Sequence, residues 1–178
     1  MNILLGVSGS ISAYRSCDIA NELTKKGHSV KVVLTEGGAQ FITPLSLEMM
    51  SKNRVYTDLF DEPEGGKVQH IELIKWADVF LIAPATTNII GKIAHGIADN
   101  MLTAMAMALK PNCHKLIAPA MNTNKYNNPI MQENLKKLIS IGYKEIEPRE
   151  SLLACGDFGK GAIAEISTIV SAVEELAQ

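Results

Sequence analysis

The chain has 178 residues, 47% of them hydrophobic and 20% charged, with a formal net charge of −2. That is enough apolar material for one buried core, so a single domain over residues 1–178 is expected. Acids and bases are mixed along the chain, which argues against nucleic acid as a partner, since phosphate backbones select basic stripes.

The longest apolar runs, such as residues 79–83 and 117–121, are far too short to span a bilayer, so no membrane association is expected. The first residues run straight into an apolar stretch with no basic region and no small-residue cleavage site, and no signal peptide is read there. The cysteines are Cys17, Cys113 and Cys155, an odd number with no close pair. Neither a disulfide framework nor a metal site follows, and a reducing cytoplasm is the expected compartment.

Residues 2–7 read as a buried strand, being short, apolar and followed by Ser-Gly-Ser. Residues 12–26 read as a helix with Ala13, Cys17 and Ala20 near one face and Gly27 placed to end it. Residues 29–34 read as a second strand, and Thr35-Glu36-Gly37-Gly38 as a loop. Thr43 and Pro44 suit an N-cap and first helical position, opening a helix to about Ser51. Residues 61–67 are the most loop-like stretch of the chain. A short helix over 71–77 and a strand over 78–83 follow, then helices over 88–94 and 100–109 and a strand over 115–119. Asn128-Pro129 opens a helix to Ser140. A short strand over 143–146 precedes residues 148–165, which read as irregular, and Ser167 is placed to cap the last helix.

Strands alternating with helices imply right-handed crossovers and a parallel sheet with helices on both faces, a three-layer α/β fold. Ligands bind such sheets beyond the carboxyl ends of the strands. The loops after Val7, Leu34, Ala83 and Ala118 are therefore the candidate site.

The first, Gly6-Val7-Ser8-Gly9-Ser10-Ile11-Ser12, has the small residues that let backbone N–H groups approach an anion at a helix start. It is neither a dinucleotide fingerprint nor a P-loop, and a tight strand-to-helix turn explains it equally well. Pro84-Ala85-Thr86-Thr87-Asn88 offers hydroxyls and an amide at a strand end, or simple N-capping. Pro119-Ala120-Met121-Asn122-Thr123-Asn124 sets an Asn directly after a buried strand, or is an Asn-rich turn. His70 is the natural acid–base group near neutral pH, although a lone histidine is more often a capping or packing residue. Cys155 stands in a Gly-rich segment that could close over a ligand, while a buried structural thiol is the commoner fate of a free cysteine.

Together and in this order, these features resemble the homo-oligomeric flavin-containing cysteine decarboxylases, over essentially the whole chain. Gly9 to Tyr14 resembles the family's first flavin loop, and His70-Ile71-Glu72-Leu73 its active-site histidine motif. Pro84 to Asn88 is similar to its Pro-Ala-Ser-Ala-Asn-Thr motif, with Thr86, Thr87 and Ile89 substituted. Pro119-Ala120-Met121-Asn122 matches Pro-x-Met-Asn, although Lys125-Tyr126 stands where a Met-Trp pair is often seen. Ala154-Cys155-Gly156-Asp157 matches the substrate clamp of the branch that serves coenzyme A biosynthesis.

The resemblance implies a Rossmann-like, flavodoxin-like sheet, FMN as cofactor and phosphopantothenoylcysteine as substrate. It implies a homo-oligomer, a trimer or a dodecamer built of trimers, with flavin near a subunit interface. Gly9, Ser10, Ile11, Thr35, Thr86, Thr87, Asn88 and Ala120 are the implied FMN contacts. Asn122, Ala154 and Ile163 are the implied substrate contacts, with Asn122 holding the carboxylate. His70 and Cys155 are the implied catalytic residues, the first for oxidation of the thiol and the second as proton donor in the final reduction.

The chemistry accounts for a flavin. Losing carbon dioxide from the cysteine carbon leaves a carbanion with no electron sink. Oxidising the neighbouring CH₂–SH to a thioaldehyde creates one, and the resulting enethiol must be reduced again. Other readings are a peptidyl-cysteine decarboxylase, an FMN-binding regulatory subunit of a phosphatase, and a flavodoxin-like electron carrier. The regulatory subunits typically carry long acidic extensions, and the carriers are strongly acidic with aromatic residues bracketing the flavin, whereas aromatics here are 5%. Within 178 residues there is no room for the synthetase domain to which many such decarboxylases are fused, so the synthetase is expected as a separate protein.

Overall fold

The computed structural model describes residues 1–60, 68–154 and 156–177. The segment 61–67 and Cys155 lie outside the described residues.

β1 (Asn2–Val7) is buried along almost its whole length, with Ile3, Leu4, Leu5 and Val7 fully inaccessible. A strand apolar on both sides belongs in the middle of a parallel sheet covered on both faces. It pairs in parallel with β2 (Ser29–Leu34) on one side and β4 (Val79–Ala85) on the other. β3 (Val55–Tyr56), β5 (His114–Pro119) and β6 (Tyr143–Glu145) complete a sheet of order β3-β2-β1-β4-β5-β6. The order reverses between β1 and β4, and the crevice at such a reversal is where ligands settle.

Alternation along the strands divides the apolar side chains between two cores. Ile3, Leu5 and Val7 pack with Ile19 and Leu23 of α1 (Arg15–Lys25), Leu47 of α3 (Pro44–Ser51) and Ile169 and Val173 of α9 (Ile166–Glu174). Leu4, Phe80 and Ile82 face the other way. They pack with Leu73 of α4 (Gln69–Trp76), Ile89 and Ile93 of α5 (Thr87–Ala94), Leu102 of α6 (Met101–Met107) and Leu135 of α8 (Pro129–Ser140). Each fully buried aliphatic chain contributes about 1.5–3 kcal/mol.

The expected caps hold at Thr43, whose side chain accepts from Ser46 N, and at Asn128, which accepts from Ile130 N. Asn100 forms a capping box with Thr103. Three expectations need correcting. The segment after β2 is a short helix, α2 (Glu36–Ala39), because the Thr35 hydroxyl caps it by accepting from Gly38 N; Gly37 and Gly38 hide it from any propensity reading. The last helix starts at Ile166 with Glu165 in the cap position, so Ser167 lies inside it. The segment read as irregular carries an antiparallel hairpin, β7 (Arg149–Leu152) and β8 (Phe158–Ala162), whose register shifts between Arg149 and Glu150.

Candidate active site

A cleft of about 830 Å³ opens at the carboxyl edge of the sheet over the β1–β4 reversal. That size is ordinary for a small-molecule or cofactor site, roughly 300–1,000 Å³. One wall is made by the turn after β1, the start of α2 and the start of α5. The other is made by the loop after β5 and by the β7–β8 hairpin.

The first wall is knit by hydroxyls. Ser8 is buried; its Oγ donates to Pro84 O at 2.7 Å and accepts from Thr86 N at 3.1 Å. This joins the turn after β1 to the turn after β4. The Thr86 hydroxyl caps α5 by accepting from Ile89 N. Thr35 Oγ1 donates to Val7 O at 3.2 Å and accepts from Gly38 N at 3.1 Å. A hydroxyl has one proton, so Thr35 has none left for an anion and serves the cleft as a brace. Ser10 Oγ accepts from Ser12 N, which leaves its own proton for the cleft. Gly9 lies so close to the second turn that a Cβ there would come within 2.9 Å of the Gly37 backbone. Only glycine allows this approach, and it keeps side chains off the cleft floor at a helix start, the arrangement a phosphate needs.

The second wall is built around the Asn122 loop. Asn122 caps α7 (Thr123–Tyr126) through Oδ1, which accepts from Asn124 N at 2.9 Å. Its Nδ2 donates to Asp157 Oδ2 at 3.3 Å, so the amide already holds a carboxylate. The hairpin presses onto this loop: Met121 N donates to Gly161 O at 2.9 Å, and a Cβ on Gly161 would lie 2.2 Å from Met121 O. Tyr126, where the family pattern has Trp, is buried and donates to Glu145 at 2.9 Å. Burial, and then the Glu145 carboxylate, push its phenol well above the ordinary range. The departure from the family's Trp is thus absorbed into the core.

Gly9, Ser10, Ile11, Thr35, Thr86, Thr87, Asn88, Ala120, Asn122 and Ala154 all line this one cleft. Ile163 does not: it is buried in the core under α9, and Gly161 and Ala162 line the cleft in its place. His70 does not line it either. It sits in the first turn of α4, whose last residues lead to the amino edge of the sheet, where Asp78 N donates to Asn2 O. Its first turn therefore lies toward the carboxyl edge, with α4 packed on the same core as α5 and α6. His70 Nδ1 is buried there with no hydrogen-bond partner. Ser8, Lys92 and Lys125 line the cleft and were not singled out from sequence. A serine in a Gly-rich turn gives no local sign that its hydroxyl points inward.

The flavoprotein family model matches residues 1–178. The chain is 50% identical over 173 residues to a probable phosphopantothenoylcysteine decarboxylase of Streptococcus mutans, covering 97% of each. It is 43% identical to the coenzyme A biosynthesis bifunctional protein CoaBC of Bacillus subtilis, covering 98% of this chain and 42% of that protein. Among solved structures it resembles a cysteine-to-serine mutant of PPC decarboxylase complexed with pantothenoylaminoethenethiol, with a TM-score of 0.89 and 36% identity, over 99% of this chain and 97% of that one. The FMN binding protein AtHal3 superposes with a TM-score of 0.84 at 36% identity, over the same shares of the two chains. With the match spanning both walls of the cleft and every element beneath them, the chain belongs to the flavoprotein family.

Proposed function

We propose that the chain is an FMN-dependent decarboxylase that converts phosphopantothenoylcysteine to phosphopantetheine in coenzyme A biosynthesis, with residues 1–178 acting as one catalytic unit. The observation that carries this is the pairing of the two walls: a phosphate-suited Gly–Ser turn on one, and an amide already holding a carboxylate on the other. The kinship with FMN-binding and decarboxylating relatives supports it.

Bound FMN supplies a reversible two-electron acceptor, so the thiol-bearing carbon can be oxidised and later reduced with no outside reductant. The turn Ser8–Ser12 would hold the flavin phosphate through the backbone N–H groups of Gly9 and Ile11 and the Ser10 hydroxyl. Thr86, Thr87, Asn88 and Ala120, which line the same cleft, would hold the rest of the flavin. Asn122 Nδ2 exchanges the Asp157 carboxylate for that of the substrate and fixes the scissile bond. Ala154 and the neighbouring backbone of Gly161 and Ala162 close over it.

His70 takes the thiol proton at a ring nitrogen. It does not line the cleft of its own chain, so it would serve the cleft of a neighbouring copy, and the working form would be a homotrimer or a larger assembly of trimers. Cys155 gives a proton to the carbon that has lost carbon dioxide. The enethiol held by the cysteine-to-serine relative is the species expected to persist when that donor is removed. The substrate is itself a free thiol, which fits a reducing cytoplasm.

The test is to purify the protein, reconstitute it with FMN and add phosphopantothenoylcysteine with no reductant. A yellow protein that releases carbon dioxide and saturated phosphopantetheine, seen by mass spectrometry, supports the reading. A colourless protein that no FMN reconstitutes sinks it. A peptide ending in cysteine serves as the competing substrate.

A further inference from the structure

Three cations line the cleft: Lys92, Lys125 and Arg149. Lys92 is held at 2.6 Å by Asp99, whose carboxyl it pulls below the usual range. Arg149 Nε lies 3.2 Å from Glu165 and also donates to Ile163 O. Lys125 is exposed over the cleft and, among the described residues, has no carboxylate partner. It is a charge at the site that no carboxylate among the described residues neutralises.

We propose that Lys125 anchors the phosphate monoester of the substrate, an inference that rests on the decarboxylase reading above. Three anionic groups must be housed once cofactor and substrate are bound: the flavin phosphate, the substrate carboxylate and the substrate phosphate. The turn after β1 suits the first. Asn122, a neutral amide, suits a monoanion and already holds one. A phosphate dianion needs a full positive charge, and among the described residues lining the cleft the uncommitted one is on Lys125.

Position separates Lys125 from the flavin phosphate. It belongs to α7, which follows β5, and β4 stands between β5 and β1. Two strand spacings, roughly 10 Å, divide the two loops. α7 is held in place from below, since the buried Tyr126 donates to Glu145 and Gln132 Nε2 donates to Tyr126 O at 2.6 Å. The lysine stem therefore starts from a fixed point on the Asn122 side of the cleft, one helical turn beyond the residue assigned to the carboxylate. The two ends of one extended substrate would be held by the same short helix.

The experiment compares phosphopantothenoylcysteine with its unphosphorylated counterpart on the FMN-loaded protein. Binding of phosphopantetheine and pantetheine is measured alongside by calorimetry. For Lys125→Met, the preference for the phosphorylated form, as a ratio of kcat/KM and as a ratio of Kd, is expected to fall about tenfold, with FMN affinity retained. Lys125→Arg keeps most of the preference, and Lys136→Gln, a charge loss on the exposed face of α8, leaves it unchanged. Raising salt weakens binding of the phosphorylated ligand to wild type and much less to Lys125→Met. An unchanged ratio, or equal losses for both ligands, overturns the proposal. A loss confined to FMN affinity overturns it too and assigns the lysine to the flavin phosphate. If wild type turns over neither substrate, the decarboxylase reading fails; a Lys125-dependent preference in calorimetry would then still uphold a phosphate site.

Discussion

On one side of the cleft Ser8 is 1% exposed and its hydroxyl is held from both sides, by Pro84 O and Thr86 N. On the other, the β7–β8 hairpin leaves Leu152 and Phe158 70% and 73% exposed, and its contacts with the Asn122 loop include a long polar contact and a backbone pair. The first wall is a set of turns locked by buried hydrogen bonds, each costly to break. The second is a solvated ribbon whose polar groups can change partners at little cost. The division matches the tasks proposed for them. A cofactor that stays bound needs a preformed cradle, while a substrate that enters and leaves needs a wall that yields.

The largest expected effect tests whether the two walls of one chain suffice. His70→Asn should lower kcat by about 10²–10⁴, the usual worth of a positioned acid–base group, while flavin stays bound. Co-assembly of His70→Asn chains with Asn122→Ala chains should restore part of the activity, because some clefts then combine a sound histidine with a sound amide. Stopped-flow assay of the mixed oligomer reads this. If mixing restores nothing, His70 works within its own chain or is structural.

Next comes the nature of the product. Cys155→Ser replaces a thiol of pKa about 8.5 with a far weaker acid. Carbon dioxide should still be released in a single turnover, but the product should be lighter than phosphopantetheine by two hydrogens. A saturated product at the normal rate would remove the cysteine from the proton-donor role.

The stiff wall is tested by Ser8→Ala. The substitution strips a buried oxygen from both Pro84 O and Thr86 N, and about 1–3 kcal/mol of stability should be lost in chemical denaturation. FMN affinity should fall with it, since the Ser8 hydroxyl no longer ties the two flavin turns, which keep the backbone bond from Ser8 N to Pro84 O.

These contrasts also mark what the sequence makes legible. Apolar runs such as 2–7 and 79–83 announce central strands, and Thr43-Pro44 and Asn128-Pro129 announce helix starts to the residue. The order of the loops over the sheet edge follows from the alternation of strands and helices. What stays hidden depends on partners distant in sequence. α2 exists because Thr35 caps two glycines, β3 is only Val55–Tyr56, and the hairpin is exposed and Gly-rich, with no apolar face to advertise it. Ile163 is expected at the substrate, yet it follows the last residue of β8 and is buried in the core with Ile169 and Val173. Ser8 and Lys125 carry meaning only through what surrounds them: two backbone groups in one case and, among the described residues, no carboxylate in the other.

The smallest expected effect bears on the yielding wall. Asp157 is exposed, and its carboxylate sits on the same Asn122 Nδ2 that is proposed to take the carboxylate of the substrate. It would then act as a placeholder that keeps the amide oriented and leaves when substrate arrives. Asp157→Asn removes the competing charge and its repulsion of the incoming anion. Stability should change by less than about 0.5 kcal/mol, as for most exposed polar substitutions. KM should fall severalfold with kcat little changed, because a step that precedes the chemistry has become easier. Steady-state kinetics beside a denaturation curve separates the two quantities. A rise in KM would mean that Asp157 holds the hairpin over bound substrate. A loss of stability as large as that of Ser8→Ala would mean that the two walls are equally stiff, and the distinction between them would fall.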